Sequence, residues 1–137
     1  MDEPEGVRYL KEIYAERERT GSLRGGVLSR AAEDIEWWAA GPRGILPWAG
    51  SWRGRDAVAH WFEVLHGILD YDVWEPMETF GYGDRAVEII HAGGRVRSTG
   101  ARYESEIVRV WDFRGGRLVR VRSFYDTAAY VAAMQTR

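Results

Sequence analysis

The strongest constraint in this sequence lies in its C-terminal half, where three turn signals divide a long strand-patterned stretch into four segments. Gly81 to Asp84, Ser98-Thr99-Gly100 and Gly115-Gly116 separate Tyr71 to Phe80, Arg85 to Arg97, Arg102 to Phe113 and Leu118 to Tyr125. Each segment is rich in β-branched and aromatic residues. Strands joined by turns this short run antiparallel, because a parallel pair needs a crossover of a dozen residues or more. The first of the four should bend or split at Pro76, which cannot donate to a ladder.

Ahead of this meander the periodicity is helical. Val7, Leu10, Ile13, Tyr14 and Arg17 recur at helix spacing within Glu5 to Arg19. Thr20-Gly21-Ser22 stops that helix and starts another, with Ser22 as N-cap. The second helix should run to about Ala32, although Gly25-Gly26 weakens it. Ile35 to Ala40 reads as a short strand and Gly41 to Gly54 as a loop. Asp56 to Gly67 is a third helix, with Ala57, Val58, Trp61, Phe62 and Leu65 on its apolar face. Thr127 to Met134 is a short closing helix capped by Asp126. Helices first and an antiparallel meander afterwards give an α+β domain of one unit over residues 1–137.

Turn geometry sets the register. Centring the hairpin between Arg97 and Gly100 places Glu88 opposite Arg109, Ile90 opposite Ile107 and Ala92 opposite Ser105. A three-residue turn with a bulge at Gly115-Gly116 places Phe113 opposite Val119, Trp111 opposite Val121, Arg109 opposite Ser123 and Ile107 opposite Tyr125. Side chains alternate along a strand, so one face carries Ile90, Ile107, Trp111, Phe113, Val119, Val121 and Tyr125. Glu88, Arg109 and Ser123 lie on that same apolar face. Buried charge is costly unless paired. Glu88 and Arg109 therefore read either as a structural ion pair or as a polar cluster at the floor of a cavity. A two-residue turn would instead set Arg109 against Arg122. The opposite face carries Ile89, Val108, Val110, Leu118 and Phe124 among Arg120, Arg122 and Glu106, a mixture that predicts a homodimer through the outer face of the sheet.

Composition narrows the function. The chain has 137 residues and a net charge of −2, with eighteen arginines and one lysine, Lys11. Neither the charge nor any motif points to nucleic acid. There is no cysteine, and His60, His66 and His91 have no metal-ligand spacing, so no metal is expected. The N-terminus lacks a signal-peptide pattern, and no apolar run reaches the ~18 residues of a membrane span. That leaves no membrane partner and a cytoplasmic location as the expectation. Gly41 to Gly44 is too short and Pro-rich for a phosphate loop, so no cofactor is implied. Seven tryptophans, seven tyrosines and four phenylalanines suit both a core and a pocket for a flat apolar ligand.

Five segments carry a family resemblance: Gly21 to Leu23, Ala32 to Trp37, Trp52 to Val58, Phe113 to Val119 and Arg122 to Thr127. In this order and spacing they resemble the nuclear transport factor 2-like superfamily, and within it the SnoaL-like polyketide cyclase and ketosteroid isomerase-like group. The resemblance covers nearly the whole chain. It implies a cone: a strongly curved antiparallel sheet wrapped around a pocket that the N-terminal helices close. The pocket wall it implies takes Tyr14, Trp37, Ala39, Leu65, His66, Leu69 and Tyr71 from the first part of the chain. From the meander it takes Glu88, Ile90, Ala92, Ser105, Ile107, Arg109, Ser123 and Tyr125.

The sequence departs from the catalytic patterns of this group. Tyr14 matches the tyrosine with which ketosteroid isomerases bind the substrate oxygen. Arg109 stands where their second acid should be, and Ala39 where their base should be. The arginine and two acids of limonene epoxide hydrolases correspond to Ile90, Ala92 and Ser123. The remaining catalytic candidates are Tyr14, His66, Glu88 and Arg109. Arg109 and Tyr14 would polarise a substrate oxygen, and His66 or Glu88 would move a proton. The expected function is cofactor-independent proton transfer on a small hydrophobic carbonyl compound. The alternative is a non-catalytic binder using the same pocket. Trp48 and Trp52, in the loop, would rim its entrance.

Overall fold

A computed structural model describes residues 3–136. The order of elements is α1 (Glu5–Thr20), α2 (Leu23–Arg30), β1 (Ala31–Ala39), β2 (Gly50–Arg53), α3 (Arg55–Ile68), β3 (Leu69–Tyr82), β4 (Arg85–Val96), β5 (Arg102–Arg114), β6 (Arg117–Tyr125) and α4 (Thr127–Gln135). The six strands form one curved, unclosed sheet in the order β2-β1-β6-β5-β4-β3. Neighbours are antiparallel except β1 and β6, which are parallel. That pair departs from a purely antiparallel sheet, and the whole of β2 to β5 supplies its crossover.

Local chemistry accounts for the element ends. Val7, Leu10 and Ile13 turn one face of α1 into the core. Gly21 ends it in the left-handed region at φ 83°, its N–H reaching the Arg17 carbonyl at 2.7 Å. Ser22 caps α2 by accepting from the Gly25 N–H. That helix stops at Arg30, two residues earlier than its sequence suggests, because Ala31 already pairs with Leu118. Strand β1 is correspondingly longer, and β2 lies inside the expected loop, with Trp52 opposite Trp37. Asp126 caps α4 through the Ala129 N–H.

The register of the β4–β5 hairpin is the one the turn predicts: Glu88 pairs with Arg109, Ile90 with Ile107 and Ala92 with Ser105. The β5–β6 hairpin reaches the expected pairing by another route. Gly115 and Gly116 form a two-residue turn with both φ positive, 58° and 80°. Phe113 then pairs with Leu118, but Asp112 pairs with Arg120, so Val119 is an extra, bulged residue. The bulge restores Arg109 opposite Ser123. It also corrects two assignments: Leu118 is the buried residue of the inner face, and Val119 is only half-buried.

The concave face holds the core. Trp37 packs on Trp61 and Trp111 with ring centroids 4.7 and 5.8 Å apart, and Phe62 meets both Trp37 and Trp61. Such pairs contribute about 0.5–1.5 kcal/mol each beyond the area they bury. No helix among the described residues is long and apolar enough to cross a membrane.

Candidate functional site

Three adjacent strands place Glu88, Arg109 and Ser123 in one row on the concave face. Their exposures are 2%, 4% and 2%, so the row is sealed inside an apolar surround rather than turned to solvent.

The acid and the guanidinium do not pair. No salt bridge joins Glu88 to Arg109, although they face each other across the ladder. Glu88 instead accepts from the Tyr14 hydroxyl at 2.8 Å and from Nε1 of Trp111 at 2.9 Å. Those two donors take one oxygen each and turn the carboxylate toward α1. Burial pushes the Glu88 carboxyl above the usual range, against the pull of Arg109, Tyr14 and Trp111. Burial first, and then the Glu88 charge, push the Tyr14 hydroxyl upward as well. Tyr14 is therefore engaged with Glu88, and neither residue lines a hollow of the interior.

Arg109 is the member of this row that borders both hollows of the interior. Its Nε and Nη1 are buried without a hydrogen-bond partner. The guanidinium carbon lies 5.2 Å from the ring centre of Trp74 and 5.6 Å from that of Trp37. Two aromatic faces stabilise a desolvated cation by about 1–2 kcal/mol. They leave its N–H groups unsatisfied.

Two hollows meet at Arg109, sharing Trp61, Leu65 and Tyr71 as walls. The outer one encloses about 290 Å³, near the lower end of the ~300–1,000 Å³ usual for small-molecule sites. Arg17 and the α1–α2 turn frame it, and Phe62, His66 and Trp74 complete its lining. The inner one is about 10 Å³ and is bounded by Ile107, Ser123, Tyr125, Tyr130 and Trp48. Ser123 Oγ is buried there without a partner, and the Tyr130 hydroxyl lies against Tyr71. A third hollow, about 640 Å³ beside Leu28, Glu33, Arg55 and Arg117, is a shallow groove on the far side of α2.

His66 sits on the last turn of α3, exposed, at the mouth of the outer hollow, its ring stacked on Phe62. Partial burial, and then the charges of Arg97 and Arg109, lower its pKa below 6.5. That shift favours the neutral ring. Tyr125 is fixed: it accepts from Nε1 of Trp48 and donates to the Ala40 carbonyl.

The remaining sequence candidates are buried but line neither hollow. Trp37 lies beneath Trp61 and Phe62. Ile90 and Ala92 pack under Tyr71 and Trp74. Ala39 and Leu69 belong to the main core. Ser105 donates to the Glu106 carbonyl and accepts from the Asp126 N–H, so its hydroxyl holds the β6–α4 corner. Trp48 is also a core residue rather than a rim residue, 1% exposed, and its carbonyl accepts from both Trp52 and Trp61.

Trp74 and Arg17 are among the wall residues that sequence reasoning did not assign, as are Phe62 and Tyr130. In a regular strand Tyr71 and Trp74 point to opposite faces. A bulge at Asp72 pairs Tyr71 with Gly94 and Trp74 with Ala92, so both point inward. Arg17 had a signal, since it follows Tyr14 by three residues on the same face of α1.

Comparison with known proteins agrees with this architecture. The chain is similar to a nuclear transport factor 2-like protein of Burkholderia xenovorans LB400, at 30% identity over 98% of this chain and 99% of that one, with a TM-score of 0.83. A nuclear transport factor 2-like protein of Burkholderia thailandensis E264 is 26% identical over 98% and 99% of the two chains, with a TM-score of 0.81. TerC, co-crystallised with polyporic acid, shares the fold at 22% identity over 96% and 98%, with a TM-score of 0.75. No curated protein matches the chain. The SnoaL-like domain model matches residues 12–121, which span everything from the middle of α1 to the inner half of β6, and the chain belongs to the SnoaL-like family.

Proposed function

We propose that the chain is an enzyme that acts on a small hydrophobic carbonyl compound by proton transfer, through isomerisation, cyclisation or dehydration. The observation that carries this reading is Arg109, a buried cation with free N–H donors at the junction of two hollows. A carbonyl oxygen placed there accepts from Nε or Nη1. Neutral His66 takes a proton from the carbon beside the carbonyl, the C–H electron pair passes into an enolate, and Arg109 stabilises the charge on oxygen. Return of that proton to a different carbon completes an isomerisation. Glu88 and Tyr14 act behind Arg109, as positioning residues. pH–rate profiles of the wild type, His66→Ala and Glu88→Gln test this. The expected result is loss of the acid-side limb in His66→Ala, where the wild-type base protonates as pH falls, with a far smaller change in Glu88→Gln. Full activity in His66→Ala removes the base.

A second reading has its own support. No carboxylate lines either hollow, and the one acid of the buried row is held by Tyr14 and Trp111. A non-catalytic binder would show affinity without turnover across ketones, lactones and epoxides.

The outer face of the sheet supports a further assignment, to a second copy of this chain. Trp38, Val87, Ile89, Val108, Val110 and Phe124 share it, with the Trp38 and Phe124 rings 5.1 Å apart and tilted against each other. Phe124 is 40% exposed and Phe80 52%. Arg85, Arg120 and Arg122 gather around Asp112 at one border, so the patch carries both signs of charge and can complement itself across a twofold axis. Sedimentation should give a dimer that Phe124→Glu converts to a folded monomer. A monomeric wild type contradicts it.

A further inference from the structure

We propose that the site is built for an anion: its ligand is a flat, largely apolar monoacid, ionised at neutral pH, whose acid group is taken by Arg109. This rests on the binding reading of the pocket above, because an acid group on Arg109 takes the place that the proton-transfer reading gives to a carbonyl oxygen.

The argument begins with charge rather than hydrogen bonding. A buried guanidinium needs a counter-ion, and an unpaired one is among the costliest things a core can hold. Among the described residues, no carboxylate lies within salt-bridge distance of Arg109. The nearest acid along the row, Glu88, has each oxygen occupied by a donor from another element. A ketone would satisfy the N–H groups of Arg109 and bring no charge of its own in the ground state. An acid anion satisfies them and brings the charge.

The lining repeats this bias. The outer hollow is bordered by two cations, Arg109 and Arg17, and by no acid. Its other walls are Trp61, Phe62, Leu65 and Trp74, which suit a flat hydrocarbon body. The inner hollow is about 10 Å³, close to the room one oxygen atom needs. The Ser123 hydroxyl borders it without a partner, beside Arg109, and Tyr130 forms the opposite wall. An acid group directed inward can set one oxygen in that recess against Ser123 and share the other with the guanidinium. The hydrocarbon then extends toward His66 and Arg17 at the mouth.

Isothermal titration of the full chain with 2-naphthoate and with its neutral isostere 2-naphthamide tests this. The expected result is that the acid binds at least tenfold more tightly than the amide. Arg109→Gln should abolish that preference, lowering naphthoate affinity at least tenfold and amide affinity less than threefold. Should Arg109→Gln fail to fold, Arg17→Gln gives a second reading at the rim: naphthoate affinity falls about two- to threefold and amide affinity is unchanged. An amide that binds as tightly as the acid overturns the anion assignment and leaves the pocket in place. Absence of binding by both overturns the anion assignment and the pocket together.

Discussion

Glu88 and Arg109 stand directly opposite each other on β4 and β5 and form no ion pair. The acid is held from behind by Tyr14 and Trp111, and the cation faces the hollow beside Trp74. Opposite charges on one row therefore have separate work: one anchors α1 to the sheet, and the other is left for a ligand.

Removing the acid separates these roles. Glu88→Ala leaves the Tyr14 and Trp111 donors buried without an acceptor, at about 1–3 kcal/mol each. Glu88→Gln keeps an oxygen for one and an amide for the other, and should cost much less. The pH dependence has a definite sign. Burial raises the native pKa above 4.5, so the native state binds a proton more readily than the unfolded chain. Stability from this group is full below pH 4.5 and is lost as pH rises through the raised value. Urea unfolding between pH 4 and 8 should show that decline in the wild type relative to Glu88→Gln.

His66 has the opposite sign. Its native pKa lies below 6.5, so the unfolded chain protonates first as pH falls. Stability from His66 is present above pH 6.5 and is lost as pH drops through the lowered value. Proton NMR of the three histidine rings should place His66 below 6.5, and His66→Gln should remove its share of the acid-side loss of stability.

Gly26 sets how closely α2 approaches α1. A Cβ at this position would meet the Ile13 carbonyl oxygen at 2.3 Å, and backbone cannot yield as a side chain can. Gly26→Ala should destabilise by about 1–3 kcal/mol, read as a lowered midpoint in thermal unfolding. It should also weaken ligand binding, because α1 carries Tyr14 and Arg17. In sequence the same glycine registers only as a weak helix former.

The case of Gly26 shows what was legible and what was not. Alternation of side chains and turn residues were enough to put Glu88, Arg109 and Ser123 in one buried row. Where a single extra residue changes strand parity, pattern alone fails. Val119 bulges after a two-residue turn, so Leu118 rather than Val119 enters the core. Asp72 bulges in β3, so Trp74 joins Tyr71 in the wall. Pairing of Glu88 with Arg109 was the natural reading of opposed charges. It did not form because two donors from α1 and β5 satisfy the acid first, and those contacts are set by tertiary packing.

The account turns on the guanidinium of Arg109, and its Nε–H can be observed directly. In a ¹H–¹⁵N spectrum of the arginine side chains, with Arg109 assigned through Arg109→Lys, the account predicts one strongly protected Nε–H that shifts when 2-naphthoate is added. An Arg109 signal that exchanges as fast as the surface arginines and ignores the ligand would contradict it.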